Sequence, residues 1–179
     1  MVEVTGNVIY HIKKVIIEFY GKEKYEEIIK NTSPGSYEVL HDMIISTEWY
    51  DVKIYNELLQ SFLDIMGEEE LDKIQKELAQ NQFTGLFGFF VKFVDAKKIM
   101  ERSEKMWQRL YSEGEFKVTQ FTDDKISIQI KDFPFNQAGF KAANFYMAEI
   151  IRIVTKKNLT TKPRKLGDKL FQFEYSLQD

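Results

Sequence analysis

The last segment of the chain alternates strictly between apolar and polar side chains. Over residues 170–177 the apolar positions are Phe171, Phe173, Tyr175 and Leu177. The positions between them carry Gln172, Glu174 and Ser176. Because successive side chains of a strand point to opposite faces of a sheet, this pattern predicts a strand with one buried face.

Other strand-like segments precede this one and set its context. Residues 115–121 and 125–131 flank a turn that contains Asp123 and Asp124, as expected for a hairpin. A helical pattern over 139–155 and a weaker strand come next, which gives the order ββαββ. We therefore expect an α+β fold in which a four-stranded antiparallel sheet is covered by this helix.

The first part of the chain has helical periodicity. Residues 1–112 predict helices over 4–20, 22–30, 52–66, 68–80 and 96–111, with Gly21 and Gly67 as end points. Residues 31–35 read as a loop, and residues 37–45 fit either a helical turn or an extended piece. No repeat or linker separates the helical region (1–112) from the ββαββ region (113–179), so we expect one domain over 1–179.

The segment 83–94 is apolar on all sides, which predicts an enclosed helix. Three environments remain open for it: a filled core, a cavity for an apolar ligand, or a contact with another chain. The cavity alternative selects a set of pocket candidates, which are Phe83, Leu86, Phe87, Phe90, Phe140 and Tyr146. The contact alternative leads us to expect a homodimer or another protein partner.

Composition excludes several classes of function. The chain has no Cys, which removes disulfides, thiol nucleophiles and cysteine metal sites. Its net charge of −3 argues against nucleic-acid binding. No apolar run approaches the roughly 20 residues of a membrane span, and the start lacks a signal pattern. The default expectation is a cytoplasmic protein.

The sequence contains no recognisable catalytic or metal site. Its two histidines, His11 and His41, have no partner at a metal-ligand spacing. No nucleophile motif, phosphate loop or dinucleotide fingerprint occurs. We therefore expect neither an enzyme nor a metalloprotein.

A basic cluster surrounds the weak third strand of the predicted sheet. Its members are Lys156, Lys157, Lys162, Arg164, Lys165 and Lys169. In an otherwise acidic chain these side chains suit an acidic partner or an anionic ligand. The alternative is that they and Pro163 protect an edge strand from pairing with other chains.

Short segments resemble a known family. The stretches Gly6–Ile9 and Phe19–Tyr25 resemble the opening of heme–nitric-oxide-binding (H-NOX) domains, and Tyr50–Asp51 with Met66–Gly67 is similar to the next part of that family's pattern. The tail Gly167–Phe173 resembles the closing strand of 4-vinyl-reductase-type ligand-binding domains. Vesicle-tethering (TRAPP) subunits share that wider superfamily. The resemblance covers nearly the whole chain in element order and implies a sensor or small-molecule-binding module.

Two departures from the family pattern concern the cofactor. H-NOX domains hold iron through a histidine on the long helix before the sheet, but residues 94–107 contain none. The Tyr-x-Ser-x-Arg motif that grips the heme propionates is also missing, since residues 128–133 read IQIKDF. The resemblance therefore implies a heme-free member without a cofactor. The lead expectation is a non-enzymatic signalling module for a small apolar ligand. The alternative is a scaffold that dimerises or docks a partner.

Overall fold

The computed structural model describes residues 1–82 and 96–178. The described helices are α1 (Gly6–Ile29), α2 (Pro34–His41), α3 (Val52–Met66), α4 (Glu68–Gln82), α5 (Ala96–Leu110) and α6 (Gln137–Thr155). The strands are β1 (Glu3–Thr5), β2 (Trp49–Asp51), β3 (Glu115–Phe121), β4 (Lys125–Lys131), β5 (Asn158–Gly167) and β6 (Leu170–Gln178). The fold is α+β, as predicted. The predicted helix over 83–94 lies outside the described residues.

The helix ends follow from local chemistry. Gly21 has φ of 82° within α1, so the two helical segments predicted on either side of it run on with a kink between them. The Asp51 side chain caps α3 by accepting a hydrogen bond from the Lys53 N–H at 2.9 Å. Gly67 ends α3 with φ of 87°, a conformation that glycine adopts without steric cost.

The loop predicted over residues 31–35 is shorter than expected. Helix α2 begins at Pro34, with Ser33 in an extended conformation before it. Proline fits the first helical position because its ring fixes φ near the helical value and its missing N–H has no intrahelical partner there. The segment left open over 37–45 is helical up to His41.

The large sheet has the strand order β3-β4-β6-β5, and every neighbouring pair is antiparallel. Strand β6 is central, and its Phe171, Phe173 and Tyr175 are buried as the alternation predicted. Each faces an isoleucine of β4, with Phe173 opposite Ile128. These side chains form the apolar face of the sheet.

Helix α6 packs on this face through Phe140, whose ring centroid lies 5.3 Å from Phe171 and 5.2 Å from Phe173. Asn136 caps the helix by accepting a hydrogen bond from the Gly139 N–H at 2.7 Å. The predicted cover of the sheet by this helix is therefore confirmed. On the same helix, Ala143, Met147 and Ile150 border a cavity whose lining also includes Ile128 and Ile130 of the sheet.

A second, two-stranded sheet was not predicted. Strands β1 and β2 pair antiparallel, with Val4 opposite Tyr50, and Val4 is fully buried. Val4 also bridges to Tyr111, which ties the start of the chain to the end of α5. Three residues per strand are too few for a periodic pattern, so the sequence carries no clear signal for this sheet.

Candidate functional site: a cavity between the helices and the sheet

The helices and the sheet do not close completely against each other. A cavity of about 640 Å³ lies between them, bordered by side chains of α1, α3, α4, α5, α6, β3 and β4. Its walls are mainly apolar: Ile12 and Val15 come from α1, Trp107 from α5, and Ile128 and Ile130 from β4. A volume of this order accommodates an organic molecule of several rings.

Helical and strand periodicity in the sequence positions the walls of the cavity. Ile12 and Val15 belong to the apolar stripe of α1, and Ile128 and Ile130 lie two residues apart on the buried face of β4. Trp107 is held in place because its Nε1–H donates to the Gly114 carbonyl at 3.1 Å. The sheet side and the first-helix side of the cavity are therefore built on regular elements.

Three tyrosines supply most of the buried hydroxyl groups of the cavity. They are Tyr55 of α3, Tyr111 after α5 and Tyr146 of α6. Burial raises the pKa of Tyr55 to about 12, an effect that a hydrogen bond with Tyr111 partly offsets. Burial also raises the pKa of Tyr111 and of Tyr146. All three phenols therefore stay protonated near neutral pH and can donate hydrogen bonds.

A further polar group in the lining is Gln75 of α4. The residue is 3% exposed, and its Nε2 has no hydrogen-bond partner among residues 1–82 and 96–178. Most buried polar atoms in proteins are paired, because an unpaired one loses its hydration without compensation. The Gln75 amide is therefore an unused donor beside the cavity.

Charged groups of the described lining belong to two helices. Lys14 and Glu18 of α1 form an ion pair at 3.6 Å, and Glu77 lies on α4. Partial burial and the neighbouring Lys14 lower the pKa of His11, which favours its neutral form. Among the described lining residues, Lys14 is the one lysine, and no arginine is present.

The pocket candidates from the sequence do not all border the cavity. Tyr146 borders the cavity. Phe140 is absent from its described lining and packs on the rings of Phe171 and Phe173, because its position on α6 faces the sheet. Phe83, Leu86, Phe87 and Phe90 lie outside the described residues.

Sequence reasoning missed Tyr55, Tyr111 and Gln75. Tyr55 follows the same helical period as the buried Leu58, Leu59 and Phe62, so periodicity alone was able to place it inward. Gln75 lies between Ile74 and Lys76 on an acidic helix, and composition does not mark it as buried. Its environment depends on what α4 packs against.

The basic cluster lies apart from the cavity on an edge strand. Lys162, Arg164 and Lys165 are exposed on β5, which ends the sheet, and Lys156 caps α6 in a left-handed conformation. Arg164 lies 3.9 Å from Glu174 of β6. Lys157 lies between α6 and β5, and its amino group donates to the Asp123 carbonyl at 3.1 Å. This placement agrees with the edge-protection alternative.

The two histidines are in different surroundings. His11 borders the cavity, whereas His41 is exposed, stacks on Tyr37 at 5.5 Å and contacts Glu26 at 3.3 Å. Within residues 1–82 and 96–178, no group of three or more His, Asp or Glu side chains is arranged to hold a metal ion. None of the helices in the same ranges is long and apolar enough to cross a membrane.

Comparison with known proteins identifies the fold. No protein-family profile and no curated protein matches the sequence. Solved H-NOX structures do match the architecture. The Fe(II) unliganded H-NOX protein from K. algicida superposes with a TM-score of 0.69 at 12% identity, covering 98% of this chain and 97% of the other. An oxygen-binding H-NOX domain related to soluble guanylate cyclases superposes with a TM-score of 0.66 at 10% identity, covering 98% of this chain and 95% of the other.

These similarities define the class of fold. The chain has an H-NOX-like α+β fold, in which a helical half precedes a four-stranded antiparallel sheet. The predicted resemblance is therefore confirmed at the level of the fold.

Two features of the described lining argue against a heme group. His11 is the one histidine of the described lining, because the chain has two histidines and His41 lies outside that lining. A heme also carries two carboxylates that need cationic partners. The described lining offers Lys14, which is already paired with Glu18.

Proposed function

We propose that this protein is a non-enzymatic sensor or binding module that holds a small apolar ligand between its helical half and its sheet. The observation that carries the proposal is the cavity of about 640 Å³ at that position. Apolar lining supplies the affinity, because removing apolar surface from water is favourable. The non-enzymatic part of the proposal is supported by the sequence, which has no nucleophile motif, phosphate loop or dinucleotide fingerprint.

The proposed ligand is not heme. Support comes from the charge of the lining, where Glu18 and Glu77 oppose a dianionic group and Lys14 is engaged with Glu18. Support also comes from the absence of histidine in residues 94–107.

The scaffold alternative predicts a filled core and an exposed apolar patch. Exposed apolar residues do occur before α3, where Met43 is 83% exposed and Trp49 is 44% exposed. Isolated side chains of this kind are normal on protein surfaces. The cavity favours ligand binding over the scaffold, and we keep homodimerisation as a separate prediction.

Fluorescence of diphenylhexatriene, a neutral hydrocarbon dye, tests the proposal. The wild type should bind the dye saturably, and Ala143→Phe should weaken that binding because the new ring enters the cavity. Ala142→Phe is the matched control on the same helix. Ala142 is fully buried and does not border the cavity, so overpacking should cost about 1–3 kcal/mol or more in urea unfolding.

The two substitutions separate a cavity from a filled core. If Ala143→Phe destabilises the fold as much as Ala142→Phe does, the space beside Ala143 is not a usable cavity. Failure of the wild type to bind the dye saturably contradicts the proposed function. Native mass spectrometry of freshly purified protein additionally reports any bound molecule and the number of chains.

A further inference from the structure

The polar groups of the cavity restrict the chemistry of the ligand. Within the described part of the chain, no atom accepts a hydrogen bond from the Gln75 Nε2, and the residue is 3% exposed. Buried amide N–H groups are usually paired, and an ordered water or a ligand atom can supply the acceptor here.

Tyr55, Tyr111 and Tyr146, the tyrosine group, add donors elsewhere in the same cavity. Tyr55 and Tyr111 both border the cavity, and each phenol carries one O–H proton. Tyr146 lies beside them on α6 and also borders the cavity. Since burial keeps these phenols protonated, they present O–H donors and no negative charge to a ligand.

The charge of the lining sets a second restriction. A buried anion needs a cationic partner, and the one lysine of the described lining is paired with Glu18. A buried cation needs a carboxylate at depth, whereas the carboxylates of this lining lie on α1 and α4 at Glu18 and Glu77 and the tyrosine group has none. Both restrictions favour a ligand without net charge.

We infer that the ligand is a neutral, largely apolar molecule that carries a carbonyl-type oxygen, which accepts hydrogen bonds from Gln75 and from the tyrosine group. The class comprises ketones, quinones and esters built on ring or chain hydrocarbons. This inference rests on the proposed function and adds to it the chemistry of recognition. Gln75 is the residue that distinguishes an oxygen-bearing ligand from a pure hydrocarbon.

A matched pair of probes tests the inference. Fluorene and 9-fluorenone share one tricyclic skeleton, and 9-fluorenone alone carries a carbonyl oxygen. Each compound is titrated against diphenylhexatriene bound to the purified protein, and displacement of the dye gives its dissociation constant. The ratio of the fluorene to the 9-fluorenone dissociation constant measures the preference for the carbonyl. One hydrogen bond corresponds to about three- to tenfold in this ratio.

Gln75→Leu should lower the ratio by about three- to tenfold, through weaker binding of 9-fluorenone and unchanged or tighter binding of fluorene. Tyr146→Phe is a second variant that removes one hydroxyl at nearly constant shape. Gln80→Leu is the control, because Gln80 lies on the same helix, bonds to Glu149 at 2.9 Å and does not border the cavity. It should leave the ratio unchanged.

The outcomes separate the two proposals. If the wild type does not bind diphenylhexatriene, the proposed function fails and the inference fails with it. If the wild type binds the dye but folded Gln75→Leu and Tyr146→Phe both keep the wild-type ratio, the inference is wrong and the proposed function stands. In that second case the Gln75 amide donates its hydrogen bond to an ordered water and not to the ligand. Should Gln75→Leu not fold, the ratio in Tyr146→Phe decides.

Discussion

Truncation of the central ring of the sheet is the sharpest test of the fold. Phe173 is fully buried, lies opposite Ile128 and packs on Phe140 with ring centroids 5.2 Å apart. Phe173→Ala loses the transfer free energy of a buried ring, roughly 1.5–3 kcal/mol. It also leaves a void of about 80 Å³, which at about 24 cal/mol per Å³ costs about 2 kcal/mol. We therefore expect a loss of about 3–5 kcal/mol.

Urea unfolding followed by circular dichroism measures this loss as a change in the free energy of unfolding. Gln172→Ala is the matched control on the same strand. The Gln172 side chain points to the other face of the sheet, where its Nε2 donates to Glu174 at 3.0 Å. Its removal should change stability by no more than about 0.5 kcal/mol. Equal losses in the two variants would refute the assignment of the buried face.

Three other perturbations and one measurement test separate features. Hemin should show only the Soret band of free hemin when mixed with the purified protein, and a shifted stoichiometric band that disappears in His11→Ala would contradict the heme-free proposal. Burial alone would raise the pKa of Glu57, but hydrogen bonds from Ser33 lower it below the ordinary value. The Glu57 carboxylate thus stabilises the fold above about pH 4.5, and this stabilisation is lost as pH falls through the lowered pKa. In acid titrations between about pH 6 and about pH 3, the wild type should therefore lose more stability than Glu57→Gln. Asn136→Ala removes the cap that accepts the Gly139 N–H at 2.7 Å and should cost about 0.5–2 kcal/mol in urea unfolding, while an unchanged midpoint would show that the cap is dispensable. Sedimentation should report a dimer, and a clean monomer at high micromolar concentration would remove that prediction.

Local patterns in the sequence determined most of the secondary structure. The alternation at Phe171, Phe173 and Tyr175 identified the buried face of β6, and those side chains are buried. Gly67 and Asp51 marked the ends of α3, because their conformational and hydrogen-bonding preferences act within a few residues. Such signals are readable from one chain since they depend on near neighbours.

Only the tertiary structure decided where the cavity lies and what borders it. Tyr55, Gln75, Tyr111 and Tyr146 come from separate parts of the chain, and no spacing rule relates them. The same holds for Phe140, whose aromatic ring suits a cavity and a sheet contact equally well in sequence. Packing directs it to the sheet and directs Ala143 to the cavity, because the angle at which α6 crosses the sheet selects which side chains find a partner.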